Sequence, residues 1–121
     1  MQRMEHQTND YALVEQDNIC VVRLRLPNLL NIVDVNRIGD QLNGIIDRGA
    51  RRLVLDLKKT SYLGSAALGM LLALSKKVRD TNGRMIISHP EHLLPLLKVS
   101  RTERLFELAV DPREAMDRMR V

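Results

Sequence analysis

The sequence predicts an α/β domain with a mostly parallel sheet and four helices. Short β-prone runs alternate with amphipathic stretches along most of the 121 residues. A turn signal, Asp17-Asn18, separates the first two β-prone runs. Near the middle, an apolar run ends at Leu57, and a polar turn leads into a helix beginning near Ser65. Strands that alternate with helices form parallel sheets, to which the hairpin adds an antiparallel edge.

The chain is expected to begin with a disordered tail and a hairpin. Residues 1–10 are polar and lack periodicity, so the folded domain is expected to span residues 11–121. The β-prone runs cover residues 11–16 and 19–26. The Asp17-Asn18 pair between them favours a tight turn, because both residue types tolerate positive φ.

An apolar connection leads from the hairpin to the first helix. It either packs under the sheet or forms an exposed contact patch, and we expect burial. Its apolar residues are Leu29, Leu30, Ile32 and Val33. Asp34 is the expected N-cap of the first helix, and Gly49 closes that helix.

The second half continues the alternation of strands and helices. The third strand, over residues 52–57, is nearly all apolar and is expected to be covered on both faces. A second helix from Ser65 to about Thr81 precedes a fourth strand at residues 85–88. In the third helix, Pro95 either occupies the first turn or kinks the helix.

The C-terminal elements are a short strand over residues 105–110 and a last helix. The opening Asp111-Pro112-Arg113-Glu114 supplies an N-cap, a proline at the first helical position and a capping-box acid. This is the strongest helix start in the sequence.

The composition argues against several classes of function. Only three residues are aromatic, so no stacking surface for single-stranded nucleic acid is expected. The net charge of +4 comes from interleaved charges, which favours a solvated surface over one that binds an acidic partner or an anionic lipid. No apolar run approaches the ~20 residues of a membrane span, and no signal peptide is visible.

Neither a metal nor a cofactor is expected. Cys20 lies in an apolar run and is expected to be a buried, unreactive thiol in a reducing cytoplasm. The histidines show no ligand spacing and are expected at the surface: His6, His89 and His92. No nucleotide-binding glycine loop or nucleophile–base arrangement is visible, so we expect no enzyme activity.

The turn and helix start after Leu57 resemble a known family. The window Gly64-Ser65-Ala66-Ala67-Leu68-Gly69 stands where the STAS domain, the family of bacterial anti-sigma factor antagonists and sulfate-transporter tails, carries Asp-Ser-Ser/Thr-Gly-Leu-Gly. The Asn82-Gly83-Arg84 turn and Arg104-Leu105-Phe106 also fit, so the resemblance covers roughly residues 11–119. It implies the STAS fold, with the element order described above and the four helices packed mainly on one face of the sheet.

The same window departs from the family at the usual phosphoacceptor. That position is Ala66, which has no hydroxyl, and Gly64 and Ala67 also differ from the pattern. Ser65 is expected to cap the helix, with a shifted phosphoacceptor role as the alternative. Thr60 and Ser61 are weaker candidates in the same loop.

The resemblance implies a cytoplasmic regulatory module that sequesters an anti-sigma factor with serine-kinase activity. Its expected contact loop comprises Thr60, Ser61, Tyr62, Leu63, Gly64, Ser65, Ala66 and Ala67. The alternative is a ligand-binding or scaffold module that holds a small anion or a lipid headgroup at the helix N-terminus. Homodimer formation stays open.

Asp56 ends a buried strand, as the phospho-accepting aspartate of a response-regulator receiver does. Receivers also need an acidic pair after the first strand to hold Mg²⁺, and no such pair follows the first strands here. We therefore expect Asp56 to bond to loop amides.

Overall fold

The computed structural model describes residues 4–120. The strands in this part of the chain are β1 (Met4–Gln7), β2 (Tyr11–Gln16), β3 (Ile19–Leu24), β4 (Asn28–Leu29), β5 (Arg52–Asp56), β6 (Tyr62–Leu63), β7 (Arg84–Ser88) and β8 (Glu107–Ala109). The helices are α1 (Ile32–Asp47), α2 (Ser65–Asp80), α3 (Leu94–Ser100) and α4 (Pro112–Met119), with a 3-10 turn at Glu103–Leu105.

Six strands form the main sheet in the order β1-β2-β3-β5-β7-β8. The pairs β1–β2 and β2–β3 are antiparallel, whereas β3–β5, β5–β7 and β7–β8 are parallel. The predicted parallel sheet with an N-terminal antiparallel edge is therefore confirmed.

The helices divide unevenly between the two faces of the sheet. The larger core lies on the side of α1, α2 and α3 and includes Ile38, Leu71 and Leu97. The smaller core lies under α4, where Ala115 and Met119 pack on the other face of the sheet. Four helices packed mainly on one face were predicted, and the third strand is covered on both faces as expected.

The turn between β2 and β3 has the predicted geometry. Asp17 has φ 57° and Asn18 has φ 62°, so both lie in the left-handed region that a two-residue hairpin turn requires. The strand that follows is shorter than predicted and ends at Leu24. Cys20 is buried as expected, and burial, with the nearby Glu15 charge, raises the pKa of its thiol.

The predicted tail is wrong over part of its length. Met4–Gln7 forms β1, which pairs with β2 so that His6 lies opposite Leu13. An edge strand with polar, solvent-facing side chains shows no apolar alternation, and its pairing comes from backbone hydrogen bonds. Residues 1–3 of the predicted tail lie outside the described residues.

The helix starts test the capping predictions directly. The N-cap of α1 is Asn31, whose side chain accepts a hydrogen bond from the Val33 amide at 2.7 Å. Asp34 was the wrong choice: it lies inside the first turn, where it pairs with Arg37 at 2.9 Å. The predicted start of α4 is confirmed, since Asp111 accepts from the Glu114 amide at 2.9 Å.

Helix α3 begins at Leu94, so Pro95 lies in its first turn, one of the two predicted outcomes. Gly49 follows the end of α1 with φ 111°, a conformation that favours glycine.

Candidate functional site

A two-residue parallel pairing ties the loop before α2 to the loop before α1. Strands β4 and β6 place Asn28 opposite Tyr62 and Leu29 opposite Leu63. The Ser61 amide donates to the Pro27 carbonyl at 2.9 Å. These backbone bonds hold two distant chain segments side by side at the start of α2.

The N-terminus of α2 has no side-chain cap. Gly64 is the N-cap residue, with extended backbone (φ −105°, ψ −179°). Ser65 is the first helical residue; it is exposed, and its hydroxyl has no hydrogen-bond partner among residues 4–120. The prediction that Ser65 caps this helix is therefore wrong, because an N-cap side chain must leave from the extended residue before the first turn.

The predicted contact loop divides into an exposed and a buried part. Thr60 is fully buried and its hydroxyl donates to the Leu26 carbonyl at 2.8 Å. Ala67 is also fully buried. Neither can touch a partner, so inclusion of these two residues was wrong. Ser61, Tyr62, Ser65 and Ala66 are exposed, and Leu63 and Gly64 are half-buried.

An apolar patch adjoins these exposed residues. Its members are Leu30, Ile32, Val33 and Tyr62, each more than half exposed. The connection before α1 was expected to be buried, and that holds only for Leu29. The β4–β6 pairing brings Tyr62 from the other loop alongside, and Leu30 lies against Gly64, where an added Cβ would meet its side chain at 3.4 Å.

An exposed contact patch was the alternative to the expected burial, and the apolar connection alone did not decide between the two. The available signal was the start of α1: Asn31 is the N-cap, so Ile32 and Val33 occupy the first turn, ahead of the inward stripe that begins at Val35. Apolar residues before that stripe have no facing surface to cover them.

Positive charge lies at the start of α2 and in the chain just before the contact loop. Lys58 and Lys59 are both exposed and make no ion pair within the described part of the chain. The free amides and dipole of α2 add partial positive charge at Ser65 and Ala66. Apolar side chains and positive charge therefore meet at one surface.

Asp56 is fully buried at the carboxyl end of β5, but its partners are side chains rather than loop amides. It accepts from Arg23 Nε at 2.6 Å and Ser88 Oγ at 2.9 Å, and contacts His89 Nδ1 at 2.5 Å. His89 is consequently partly buried, against the expectation of a surface role. The network joins three strand ends, and both carboxylate oxygens are occupied.

Two further observations bear on the chemistry. Among residues 4–120, no group of three or more His, Cys, Asp or Glu side chains is arranged to hold a metal ion. Within the same range, no helix is both long and apolar enough to cross a membrane.

The sheet order, the hairpin edge and the four helices make this a small α/β domain. The sequence profile of the STAS domain matches residues 10–110. The chain belongs to the STAS domain family.

Sequence relatives agree with this family. BtrV of Bordetella bronchiseptica, named as an anti-sigma factor antagonist, is 29% identical over 91 residues, which cover 74% of this chain and 78% of BtrV. A STAS-domain containing protein of Pseudomonas aeruginosa is 38% identical over 61 residues, covering 49% of this chain and 59% of that protein.

Solved structures of low identity share the fold. An anti-sigma factor antagonist of Thermotoga maritima superposes with a TM-score of 0.80 at 20% identity, covering 92% of this chain and 95% of that one. The unphosphorylated form of the antagonist SpoIIAA gives a TM-score of 0.67 at 20% identity, over 98% of each chain. The STAS fold predicted from the sequence is confirmed.

Proposed function

We propose that this chain sequesters an anti-sigma factor with serine-kinase activity, and that it acts by binding rather than by catalysis. The contact is the switch surface, which we define as Ser61, Ser65, Ala66 and the apolar patch that contains Tyr62. The observation that supports this most directly is the exposed patch beside an open helix start. Such a role places the chain in the cytoplasm and in the regulation of transcription.

The patch favours a protein partner over a small ligand. Four large apolar side chains, from the start of α1, the residues before it and β6, lie exposed at one end of the domain, and exposed apolar surface of this kind marks interaction sites. Tyr62 is 63% exposed and combines a broad apolar ring with a polar tip. Tyrosine is one of the residue types enriched among the few side chains that carry most of the binding energy at protein interfaces.

We further propose that binding is not switched by phosphate at the family's usual position. SpoIIAA has been solved in both phosphorylated and unphosphorylated forms. By the family resemblance the usual phosphoacceptor falls at Ala66, which presents a methyl group. The neighbouring Ser65 is exposed but lies about 100° away around the helix, so a kinase aligned on residue 66 would meet no hydroxyl.

The test is the affinity of purified variants for a GHKL-type serine kinase from the same cell, measured by isothermal titration calorimetry. Tyr62→Ala is expected to weaken binding tenfold or more, about 1.4 kcal/mol or above. Val110→Ala is the control for loss of an exposed apolar side chain, because Val110 is 65% exposed and follows β8, two strands away from β5 in the sheet. Equal loss in both variants, or none in Tyr62→Ala, would refute the assigned surface.

A second candidate is a ligand-binding module that holds a small anion or a lipid headgroup at the start of α2. The uncapped amides and the exposed Lys58 and Lys59 favour it. Titration with inorganic phosphate, followed by amide NMR shifts at Gly64–Ala66, separates the two candidates. Saturable millimolar or tighter binding, without any protein partner, would favour the ligand role.

A further inference from the structure

A second surface, remote from the switch surface, concentrates unpaired positive charge. Lys98, Arg101 and Arg104 line one cleft, together with a single acid, Glu103. All three cations are exposed, and within residues 4–120 none forms an ion pair. Many other cations of the fold, such as Lys76, Arg84 and Arg118, have a carboxylate partner.

One of these cations, Arg101, has a backbone conformation that favours glycine. Arg101 follows α3 with φ 58° and ψ 38°, in the left-handed region. The Thr102 amide donates to the Leu97 carbonyl at 3.0 Å, which closes the helix end. Glycine is the usual residue at this position, because any Cβ there is strained. The chain nevertheless carries an arginine there.

Apolar side chains project among the cations. Val99 is 85% exposed, the highest value among the large apolar residues described, and Leu105 is about half exposed. Arg79, at the end of α2, donates to the Leu105 carbonyl at 3.5 Å and adds a fourth cation beside them. We call Lys98, Val99, Arg101, Arg104 and Leu105 the α3 patch.

We propose that the α3 patch docks on an anionic phospholipid bilayer. Its positive charge complements the surface of such a bilayer, where each nearby Lys or Arg adds to the attraction. Val99 projects from a helix end, and a bilayer accepts a projecting apolar side chain without a matching pocket. An acidic protein would need a cavity shaped for Val99, so we favour the bilayer.

The geometry leaves both surfaces usable at once. Ser65 and Arg79 lie near opposite ends of α2, about 20 Å apart at 1.5 Å per residue. A chain docked through the α3 patch would therefore keep its switch surface turned away from the lipid. This proposal does not depend on the identity of the partner at the switch surface.

The experiment is co-sedimentation of the full chain with vesicles of mixed phosphatidylglycerol and phosphatidylcholine, and with vesicles of phosphatidylcholine alone. Binding is expected only to the anionic vesicles and is expected to fall as salt rises. The double variant Lys98→Gln with Arg104→Gln is expected to bind about 25-fold more weakly, at about fivefold per charge. The control Arg113→Gln removes an exposed, unpaired cation of α4 and is expected to change binding less than twofold.

The variant Arg101→Gly distinguishes an effect of the lost charge from an effect of misfolding. Removing the strained Cβ is expected to raise the melting temperature, whereas losing the cation is expected to weaken vesicle binding about fivefold. Val99→Ser is expected to weaken binding severalfold.

Absence of binding to anionic vesicles would overturn the proposal, as would full binding by the double variant or by Arg101→Gly. If polyglutamate competes and Val99→Ser has no effect, an acidic protein is the occupant and the bilayer proposal is wrong.

Discussion

The starts of α2 and α4 differ in whether a side chain caps their free backbone amides. At α4, Asp111 accepts from the Glu114 amide at 2.9 Å, and Pro112 removes one amide hydrogen altogether. At α2, Gly64 offers no side chain, and the next two residues are exposed. The start of α4 is therefore stabilised by its own cap residue. The start of α2 lacks this stabilisation, and it lies where we place the partner. Departures of this kind are expected at functional sites.

The largest effect should come from placing a charge at the open start. Ala66→Asp is expected to weaken binding of the kinase partner at least tenfold, because it puts a carboxylate into an apolar contact. It should not destabilise the fold, since an acid in the first turn interacts favourably with the helix dipole. Calorimetry and denaturant unfolding measure the two effects.

The control is Ala73→Asp, which makes the same change at an exposed position further along α2. Retained binding in Ala66→Asp, or equal loss in both variants, would show that the helix start is not the contact.

Removing a side chain from each helix start gives the next largest contrast. Asp111→Ala is expected to lower the free energy of unfolding by about 1 kcal/mol, because the Glu114 amide loses its acceptor. Ser65→Ala is expected to change it by less than about 0.5 kcal/mol, since that hydroxyl caps nothing. The urea unfolding midpoints of the two variants measure this difference in stability. Equal midpoints would show that the two helix starts do not differ in capping.

The smallest effect comes from exchanging the two N-cap residues. Gly64→Asp is expected to stabilise the fold by a few tenths of a kcal/mol, and Asp111→Gly to destabilise it by a similar amount. The new Cβ at residue 64 would only touch Leu30 at 3.4 Å, an ordinary contact. A clear loss of stability in Gly64→Asp, read from the same urea curves, would mean that this start cannot accept a cap.

The main elements could be predicted because their signals are local. The apolar periodicity of the sequence predicts α1 and α2. The β2–β3 turn follows from the local chemistry of Asp17-Asn18, and the start of α4 follows from that of Asp111-Pro112. The very short strands β4 and β6 carry no periodicity, since each exists only because the other lies beside it. Likewise β1 depends on its pairing with β2 rather than on its own sequence.

The candidate site was predicted less completely because exposure depends on tertiary neighbours. The family resemblance indicated a contact loop, but Thr60 in that loop turns inward to reach the Leu26 carbonyl, which lies 34 residues away. The choice between Gly64 and Ser65 as N-cap rests on a single residue's backbone angles. Only the pairing of β4 with β6 in the folded chain brings Tyr62 next to the connection before α1.

We expect the switch surface to bind its partner without a phosphate switch. The most direct measurement incubates the chain with its kinase partner and ATP, then combines mass spectrometry of the peptide containing residues 60–76 with the affinity before and after ATP turnover. We expect no phosphate on this peptide and an unchanged affinity. Stoichiometric phosphate on Ser65, accompanied by loss of binding, would contradict it.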